Sequence, residues 1–290
     1  MSYASIRPGQ TWLDTNGKRI QAHAGGIFYE NETYYWYGEN KEFTTGKDRI
    51  WTWGIRCYSS KDLYNWTDLG LIIEPDTSDE TSLLHPNNWM DRPHILYNEA
   101  TKKYICWIKF SGEIGCFAVF TADQLLGPYQ MVRERMVPYG KMVGDFDIIQ
   151  EEENAYIYFE YDHNGIAAYQ LSKDYTDVIG NPVLYYEGLH APFTREGVGL
   201  FEHENMRYMV TSGMTGYIPN PSEIATFDRW LGRLTIQGNP HKNDESGASF
   251  NSQISTIFHH PKKKNLYIAL ADRWVPDYML TQQKTDIIMI

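Results

Sequence analysis

The sequence predicts an all-β protein that folds as one five-bladed β-propeller across residues 1–290. Three observations predict this class. One hairpin pattern recurs five times along the chain, a second hairpin pattern follows four of those copies, and helical periodicity is nearly absent. Two hairpins make four strands, which is the content of one propeller blade. Five copies therefore predict five blades.

The first hairpin combines an apolar pair, a polar turn and an aromatic-rich strand. Both sides alternate between apolar and polar residues, and the tips carry Asn, Glu or Lys, which is typical of hairpins. The copies begin roughly 50 to 70 residues apart, a repeat that a β-sandwich, the alternative all-β fold, does not explain. They are IFYENETYYWYGE (27–39), ILYNEATKKYICWIKF (95–110), IIQEEENAYIYFEY (148–161), LFEHENMRYMVTSG (200–213) and IFHHPKKKNLYIALAD (257–272).

The second hairpin consists of a strand, a Ser/Thr-x-Asp turn or a relative of it, and another strand. It is present at 53–70, 116–130, 166–180 and 223–238. The fifth copy lacks it, because the sequence stops at TDIIMI, 285–290. We expect either an incomplete last blade or one that residues 10–20 complete, since a propeller needs closure to limit exposed strand edges.

Composition narrows the classes of function. A net charge of −11 over 290 residues, with both signs scattered, argues against nucleic-acid binding. The three cysteines lack C-x-x-C spacing, which is typical of reduced thiols. No signal-peptide region and no membrane-spanning stretch is visible. We therefore expect a cytoplasmic protein without a membrane partner, although a chain from which a signal peptide had been removed would look the same.

Polar residues at equivalent places in the blades predict a site. In a propeller the innermost strands line a central channel, and residues at the start of each first strand point into its mouth. Four or five of these residues are acidic, a costly cluster unless a ligand or a role compensates for the repulsion. The set consists of Gln21, His23 and Glu39 in blade 1, Asp91 in blade 2, Asp145 in blade 3, Glu187 and Glu196 in blade 4, and Gln253 in blade 5.

Paired carboxylates in a channel are what glycoside hydrolysis needs. One group protonates the leaving oxygen, and another activates water or attacks the anomeric carbon. Each acid alone also has a structural interpretation, since Asp91 can cap a turn through Arg92 and Glu196 can pair with Arg195. His23 is a candidate for a ligand or substrate contact, and a hydrogen-bonded structural role is the favoured alternative for it. Phosphate-binding loops, zinc-protease motifs and serine-hydrolase elbows are absent from the sequence.

Several motifs resemble those of glycoside hydrolase family 43, a family of five-bladed β-propellers. They are YYWYGE, IRCYSSKDLYNW, DRPHILYN, TREG followed by LF, and YMVTSGMTGYIPN, and the similarity continues to SQIST and ADRW. It is closest to the exo-β-1,3-galactanase branch. The resemblance implies an inverting exo-acting β-galactosidase or galactanase, or a related arabinogalactan-degrading activity, with an oligosaccharide or polysaccharide substrate.

The resemblance also implies roles for individual acids. The glutamate of the family's R-E motif, its general acid, matches Glu196. The acid before R-P, at the scissile sugar, matches Asp91. The blade 3 aspartate, a pKa modulator or sugar ligand, matches Asp145.

Further matches concern the sugar and a metal. Residues that contact sugar hydroxyls match Glu39, Glu187 and Thr215. No cofactor is implied. Some relatives carry calcium, so a calcium ion is compatible with the resemblance, although the sequence shows no ligand set for it.

One expected carboxylate is missing. Typical members place the general base, an aspartate, in an A-D-P-like sequence before the first strand, where this chain reads QAHAGG with His23 and Ala24. The galactanase-like branch shares this absence. There a glutamine of blade 5 is proposed to orient or deprotonate the water, and Gln253 matches it. An amide is a poor base at neutral pH, so tautomeric, relay and substrate-assisted routes all stay open.

Other departures from the family pattern leave the substrate open. REGVGLF replaces R-E-A-P, VGDFD replaces S-R-D and loses an arginine, and Asp replaces Glu before R-P. A carbohydrate-binding propeller that has lost catalysis is the main alternative function. A protein-interaction propeller is weaker, because it would not need clustered acids.

Overall fold

The computed structural model describes residues 2–45, 49–273 and 288–289 of the 290. Within these residues the regular structure is antiparallel β-sheet, and the only helical segment is one 3₁₀ turn, η1 (Ser249–Asn251). The prediction of an all-β propeller is confirmed at this level. No helix in the described part of the chain has the length and hydrophobicity that crossing a membrane requires.

Four sheets contain four strands each, paired in chain order. Sheet 1 has β1 (His23–Glu30), β2 (Thr33–Glu39), β3 (Ile55–Ser60) and β4 (Thr67–Ile73). Sheet 2 has β5 (Met90–Asn98), β6 (Lys103–Phe110), β7 (Cys116–Ala122) and β8 (Gln130–Met136). Sheet 3 has β9 (Val143–Glu151), β10 (Asn154–Tyr161), β11 (Gly165–Leu171) and β12 (Val178–Tyr185). Sheet 4 has β13 (Arg195–His203), β14 (Met206–Gly213), β15 (Ser222–Phe227) and β16 (Leu234–Gly238).

The expectation of five full blades is corrected to four. Sheet 5 has three strands, β17 (Gln253–His259), β18 (Tyr267–Arg273) and the two-residue β19 (Ile288–Met289). The chain between β18 and β19, where a second hairpin would have to form, lies outside the described residues. The alternative that residues 10–20 complete this sheet is wrong, because they add no strand to it. They bridge internally between Leu13 and Arg19 and pack against sheet 1, with Trp12 edge-on to Trp36.

The predicted hairpins set the register of every sheet. All five copies of the aromatic-rich pattern pair as β1–β2, β5–β6, β9–β10, β13–β14 and β17–β18. In the first of them the turn residues Asn31 and Glu32 have φ of 48° and 57°. Two left-handed residues in a two-residue loop match the right-handed twist of the flanking strands.

The first strands of the sheets stand next to one another in a ring. Each contacts the first strand of the next sheet, from β1 through β5, β9 and β13 to β17, and β17 contacts β1. The starts of these five strands therefore converge on one end of a central channel, as the site prediction requires.

Aromatic side chains fill the spaces between neighbouring sheets. Trp107, Phe117, Phe146 and Phe159 are fully buried together between sheets 2 and 3. Each such ring removes about 150–250 Å² from water, and at roughly 25 cal/mol per Å² this burial is the main force that holds the sheets together.

The three cysteines take part in this packing. All of them are buried and unpaired, within the cluster between sheets 1 and 2. Burial raises the pKa of each thiol, so none is activated for chemistry.

Candidate active site

Each first strand carries a register irregularity at the end that faces the site. The shifts lie at His23–Gly26 in β1, Asp91–His94 in β5, Glu196–Gly199 in β13 and Ile254–Thr256 in β17. In β9 the shift lies opposite Phe159–Tyr161 of β10. A bulge bends the strand and re-aims a side chain that regular pairing would direct elsewhere. The same local device therefore delivers one polar residue from each sheet to the channel mouth.

Three of these bulges place a left-handed residue directly after the site residue. Ala24, Arg92 and Gly197 have φ of 48°, 49° and 59°. Left-handed backbone is unfavourable for Ala24 and Arg92, which carry a side chain, whereas Gly197 adopts it without that cost. Its repetition at equivalent positions shows that the surrounding sheets enforce this geometry.

A cavity of about 290 Å³ lies where these residues meet. Six of the nine predicted site residues line it, namely His23, Glu39, Asp91, Asp145, Glu196 and Gln253. Its other lining residues are Ala24, Trp51, Trp89, Arg92, Lys109, Ser111, His163, Gly216, Tyr217 and Asp272.

Asp145 is held between two cations. Arg92 Nε lies 2.9 Å and Lys109 Nζ 2.7 Å from its Oδ1. Burial alone would raise the pKa of Asp145, but the two cations outweigh burial and hold the pKa well below its usual range. The arginine that the VGDFD motif lacks is thus replaced in space by Arg92 of sheet 2.

Asp91 is fixed by neutral donors and one of the same cations. Trp51 Nε1 donates to its Oδ1 at 2.7 Å, and Ser111 Oγ donates to its Oδ2. Lys109 Nζ lies 3.7 Å from that Oδ2. Lys109 therefore bridges Asp91 and Asp145, so the two predicted acids form one charge-balanced group.

Glu196 differs from both aspartates because no cation among the described residues forms an ion pair with it. Its Oε1 accepts a hydrogen bond from Gln253 Nε2 at 3.3 Å. Burial, and then the negative charge of Asp145, raise the pKa of Glu196 to about 8, with Arg92 and Lys109 opposing the shift. Unlike Asp145, Glu196 thus carries a proton at neutral pH, which is the state a general acid needs.

Gln253 has contacts at both ends of its amide. Nε2 also donates to Ser212 Oγ at 2.9 Å, and Oε1 accepts from Arg92 Nη2 at 3.3 Å. A cationic donor on the carbonyl oxygen makes that oxygen less basic. The geometry therefore favours Gln253 as a residue that positions Glu196.

Glu39 is almost fully buried at the base of the cavity. Its Oε1 accepts the Arg92 backbone N–H at 2.9 Å, and its Oε2 lies 2.9 Å from Lys41 Nζ. Burial raises its pKa to about 7, against the attraction of Lys41. Lys41 also lies 4.0 Å from the centre of the Trp51 ring, which stacks on Trp89 at 4.6 Å between ring centres. The stacked indoles form an aromatic wall of the cavity.

His23 has the features of a structural residue. It is 1% exposed, and its Nε2 lies 3.3 Å from Gln21 Oε1. Burial lowers its pKa well below the ordinary value, so it is neutral and supplies no charge to the site. Gln21 does not line the cavity.

The remaining two predicted residues lie off the cavity wall. Glu187 is exposed in the segment after β12. Thr215 Oγ1 donates to the Ile218 carbonyl and accepts from Asn220 Nδ2 at 2.7 Å. Thr215 thus closes the loop that brings Gly216 and Tyr217 to the cavity. The predicted sugar contacts of Glu187 and Thr215 stay predictions.

Sequence reasoning missed the residues that second strands contribute. Lys109 lies directly across from Asp91 in the β5–β6 pair, and Asp272 lies across from Gln253 in the β17–β18 pair. Directly opposed residues of an antiparallel pair point to the same face. The signal was therefore present in the hairpin register, which can be counted from each turn.

Glu160 is a further buried carboxyl behind the cavity. It lies in the strand opposite the irregular stretch of β9 that holds Gly144 and Asp145. Its Oε2 would be only 1.8 Å from a Cβ at Gly144, so the close approach requires glycine there. Burial, and then Asp145, raise the pKa of Glu160 to about 8.

The residues present do not fit a metal site. No group of three or more His, Cys, Asp or Glu side chains within residues 2–45 and 49–273 is arranged to hold a metal ion. The carboxylate cluster is neutralised by Arg92, Lys109 and Lys41 instead. The described residues of the site therefore provide no set of ligands for calcium.

The family model of glycosyl hydrolases family 43 matches residues 13–273. The chain belongs to this family. The predicted membership is therefore confirmed, and it classifies the protein among the glycoside hydrolases. A search of curated protein sequences gives no significant match.

Solved structures of family 43 proteins share the whole fold. A β-1,3-galactosidase is 28% identical, with a TM-score of 0.86 over 99% of this chain and 58% of its own. Another β-1,3-galactosidase, solved with galactodeoxynojirimycin, is 26% identical, with a TM-score of 0.83 over 93% of this chain and 91% of its own.

An exo-β-1,3-galactanase from Phanerochaete chrysosporium, solved with β-1,3-galactotriose, is 24% identical. Its TM-score is 0.82 over 97% of this chain and 62% of its own, and it supports the fold alone. The chain thus spans less than two thirds of the first and third of these structures.

Proposed function

We propose that this chain is an exo-acting glycoside hydrolase that releases galactose from β-1,3-linked galactan with inversion at the anomeric carbon. The similarity to two β-1,3-galactosidases, one of them solved with galactodeoxynojirimycin, supports the sugar and the linkage. The cavity volume of about 290 Å³ lies at the low end of small-molecule sites. A site of this size suits one terminal sugar better than the interior of a long chain.

The observation that carries the proposal is the difference in protonation between two neighbouring acids. Glu196 has a pKa raised to about 8, and Asp145, on the same cavity wall, has a pKa held far below it. Two carboxyls whose surroundings move their pKa values apart are the arrangement that acid-catalysed glycoside cleavage uses.

The proposed step follows from these states. Glu196 donates its proton to the glycosidic oxygen as the bond from that oxygen to the anomeric carbon breaks. A water molecule attacks the anomeric carbon from the opposite face and loses a proton. Asp145 stays ionised between Arg92 and Lys109 and stabilises the positive charge that develops on the sugar ring.

The rest of the cavity wall is suited to binding the sugar. Asp91 and Glu39 offer acceptors for hydroxyl groups and are themselves fixed by Trp51 and Arg92. The Trp51–Trp89 stack offers an apolar surface for the C–H face of a sugar ring. We assign these residues to substrate binding on that basis.

Replacing the acid tests the proposal. Glu196→Gln should lower kcat for β-1,3-galactobiose by about 10²–10⁴-fold, which is the contribution that general acid catalysis makes. Galactose release and its initial anomer are followed by NMR. Glu202→Gln, at the other end of β13, is the matched control and should retain wild-type turnover. Undiminished hydrolysis by Glu196→Gln would remove Glu196 from the mechanism.

A carbohydrate-binding propeller without catalysis is the second candidate. The missing carboxylate on β1, where His23 and Ala24 stand, is the observation that favours it. Calorimetry with β-1,3-galactotriose, run beside the product assay, separates the two candidates. Binding by the wild-type chain with no galactose released would support the second one.

We also propose that sheet 5 is the fifth blade of a five-bladed propeller. Its β17 contacts both β13 and β1, which supports this role in the ring.

A further inference from the structure

A carboxylate from sheet 5 contacts the segment of β1 in which the expected acid is missing. Asp272 Oδ1 accepts the backbone N–H of Ala24 at 3.2 Å. Ala24 belongs to the QAHAGG segment, in which the expected acid is absent. Asp272 is 2% exposed and still lines the cavity, together with Glu196 and Gln253.

The register explains how Asp272 reaches this position. Asp272 is directly opposite Gln253 in the β17–β18 pair, so both side chains point to the same face. Gln253 contacts Glu196 from one side. The hairpin therefore presents an amide to the acid and a carboxylate to the neighbouring sheet 1.

The other carboxyls of the cavity are already engaged. Asp145 is paired with two cations, which makes it a weak base. Asp91 accepts from Trp51 and Ser111, and Glu39 is paired with Lys41 and with the Arg92 N–H.

Asp272 contrasts with these acids. Its Oδ1 accepts a hydrogen bond from the Ala24 N–H, and its Oδ2 accepts no hydrogen bond from any described residue. One oxygen thus anchors the carboxylate while the other can accept a proton.

Gln253 is less suited to removing a proton from water. Its amide oxygen accepts from the Arg92 guanidinium, and its amide nitrogen donates to Glu196 and Ser212. Acting as a base would require the imidic acid form, which would break these contacts.

We propose that Asp272 is the general base that deprotonates the attacking water, in place of the blade 1 aspartate. This role rests on the proposed function. As the water oxygen bonds to the anomeric carbon, its proton passes to Asp272 Oδ2, and the proton of Glu196 passes to the leaving oxygen. Asp272 ends the step protonated and Glu196 ends it ionised. Proton exchange with solvent then restores both starting states.

The pH dependence follows from the two groups. Burial, and then the negative charge of Asp145, raise the pKa of Asp272 to about 6, against the opposing effects of Arg92, the Ala24 N–H and Lys41. The base must be ionised and the acid protonated, so kcat/KM should rise through about pH 6 and fall through about pH 8. Both limbs of this bell-shaped pH profile of kcat/KM report pKa values of the free enzyme.

The test compares wild type, Asp272→Asn and Asp272→Ala on β-1,3-galactotriose. We expect kcat to fall about 10²–10⁴-fold in both variants, with the acidic limb lost in the residual activity. Azide should restore turnover of Asp272→Ala and give a galactosyl azide of inverted configuration, which a purely structural loss would not do. Asp14→Asn is the matched control, because Asp14 is equally buried and accepts backbone N–H groups outside the site.

The outcomes separate the two proposals. Suppose that the wild type hydrolyses the substrate, and that Asp272→Asn keeps turnover within threefold of wild type with an unchanged acidic limb. That result overturns the role of Asp272 alone. If Asp272→Asn melts far below wild type, the azide result with Asp272→Ala decides, and no rescue overturns the role. A wild type that releases no sugar overturns the proposed function and this role with it.

Discussion

Two aspartates on β9, only two residues apart, show how the mouth of the channel differs from its interior. Asp145, at the bulged end, is paired with Arg92 and Lys109, and its pKa is held well below its usual range. Asp147, deeper in the channel, accepts the backbone N–H groups of Ile148 and Leu200, and burial raises its pKa to about 8. His94, 3.2 Å away, gives it no charge, because burial lowers the His94 pKa to about 3.

The difference teaches that burial alone does not make an acid functional. Asp147 is fully buried and Asp145 is largely buried, and both belong to the motif VGDFD. Cations keep Asp145 charged where a reaction can use the charge. At Asp147, burial outweighs the hydrogen bonds from β9 and β13 and keeps the carboxyl neutral, and these bonds link sheets 3 and 4. Three predictions test this contrast.

The largest effect is expected from removing the charge at the bulged end. Asp145→Asn should lower kcat/KM about 10²–10⁴-fold, because the charge that stabilises the developing cation is lost. The negative charge of Asp145 raises the Glu196 pKa, so the basic limb of the pH profile should move to lower pH. Rate profiles on β-1,3-galactobiose measure both effects. Glu151→Gln, at the other end of β9, should leave the profile unchanged.

Replacing the cation Lys109 should have a smaller effect on activity and should move the basic limb of the pH profile in the opposite direction. Lys109→Met removes a charge that lowers the Glu196 pKa, so the basic limb should move to higher pH. Activity should fall about 10–100-fold, because Asp145 and Asp91 lose a shared partner. Lys103→Met, on the same strand but outside the cavity, is the control. Shifts in the same direction for Asp145→Asn and Lys109→Met would contradict the charge balance described for the site.

The smallest effect on activity, within about tenfold, is expected at Asp147. Its folded pKa of about 8 lies above the unfolded value of about 3.9. The stability it contributes is therefore fully present below about pH 3.9 and is lost as pH rises through about 8.

Glu39, Glu160, Glu196 and Asp272 also have raised pKa values, of about 7, 8, 8 and 6. Below about pH 6.5, His23 and His94, whose pKa values burial lowers, have the opposite effect on stability. The wild-type melting temperature should therefore fall between about pH 6.5 and pH 8, and the fall should be shallower in Asp147→Asn. Calorimetry at pH 5, 6, 7 and 8 measures this, with the exposed Asp123→Asn expected to run parallel to wild type. Parallel curves for Asp147→Asn would show that Asp147 is already ionised in the folded protein.

Much of the fold could be predicted from the sequence because each hairpin is a local structure. Alternation, turn residues and aromatic strands identify the strand pairs at 27–39, 95–110, 148–161, 200–213 and 257–272 without reference to distant contacts. The number of complete blades was not predictable in the same way, since it depends on which segments pair with β18.

The site was predictable only in part, for a related reason. First-strand residues such as Asp91 and Glu196 follow from their equivalent places in the repeat. Arg92 points from a bulge, and bulges leave no clear trace in the alternation. Lys109 and Asp272 become visible only when the register of the hairpin is counted back from the turn.

That register has a consequence for insertions and deletions far from the cavity. His23 pairs with Glu39 across the β1–β2 hairpin, whose turn, at Asn31 and Glu32, lies at the opposite end of the strands. Adding or removing one residue there would shift β2 against β1 and turn Glu39 to the other face of the sheet. The lengths of the outer turns, which touch nothing in the site, therefore determine which side chains the site contains.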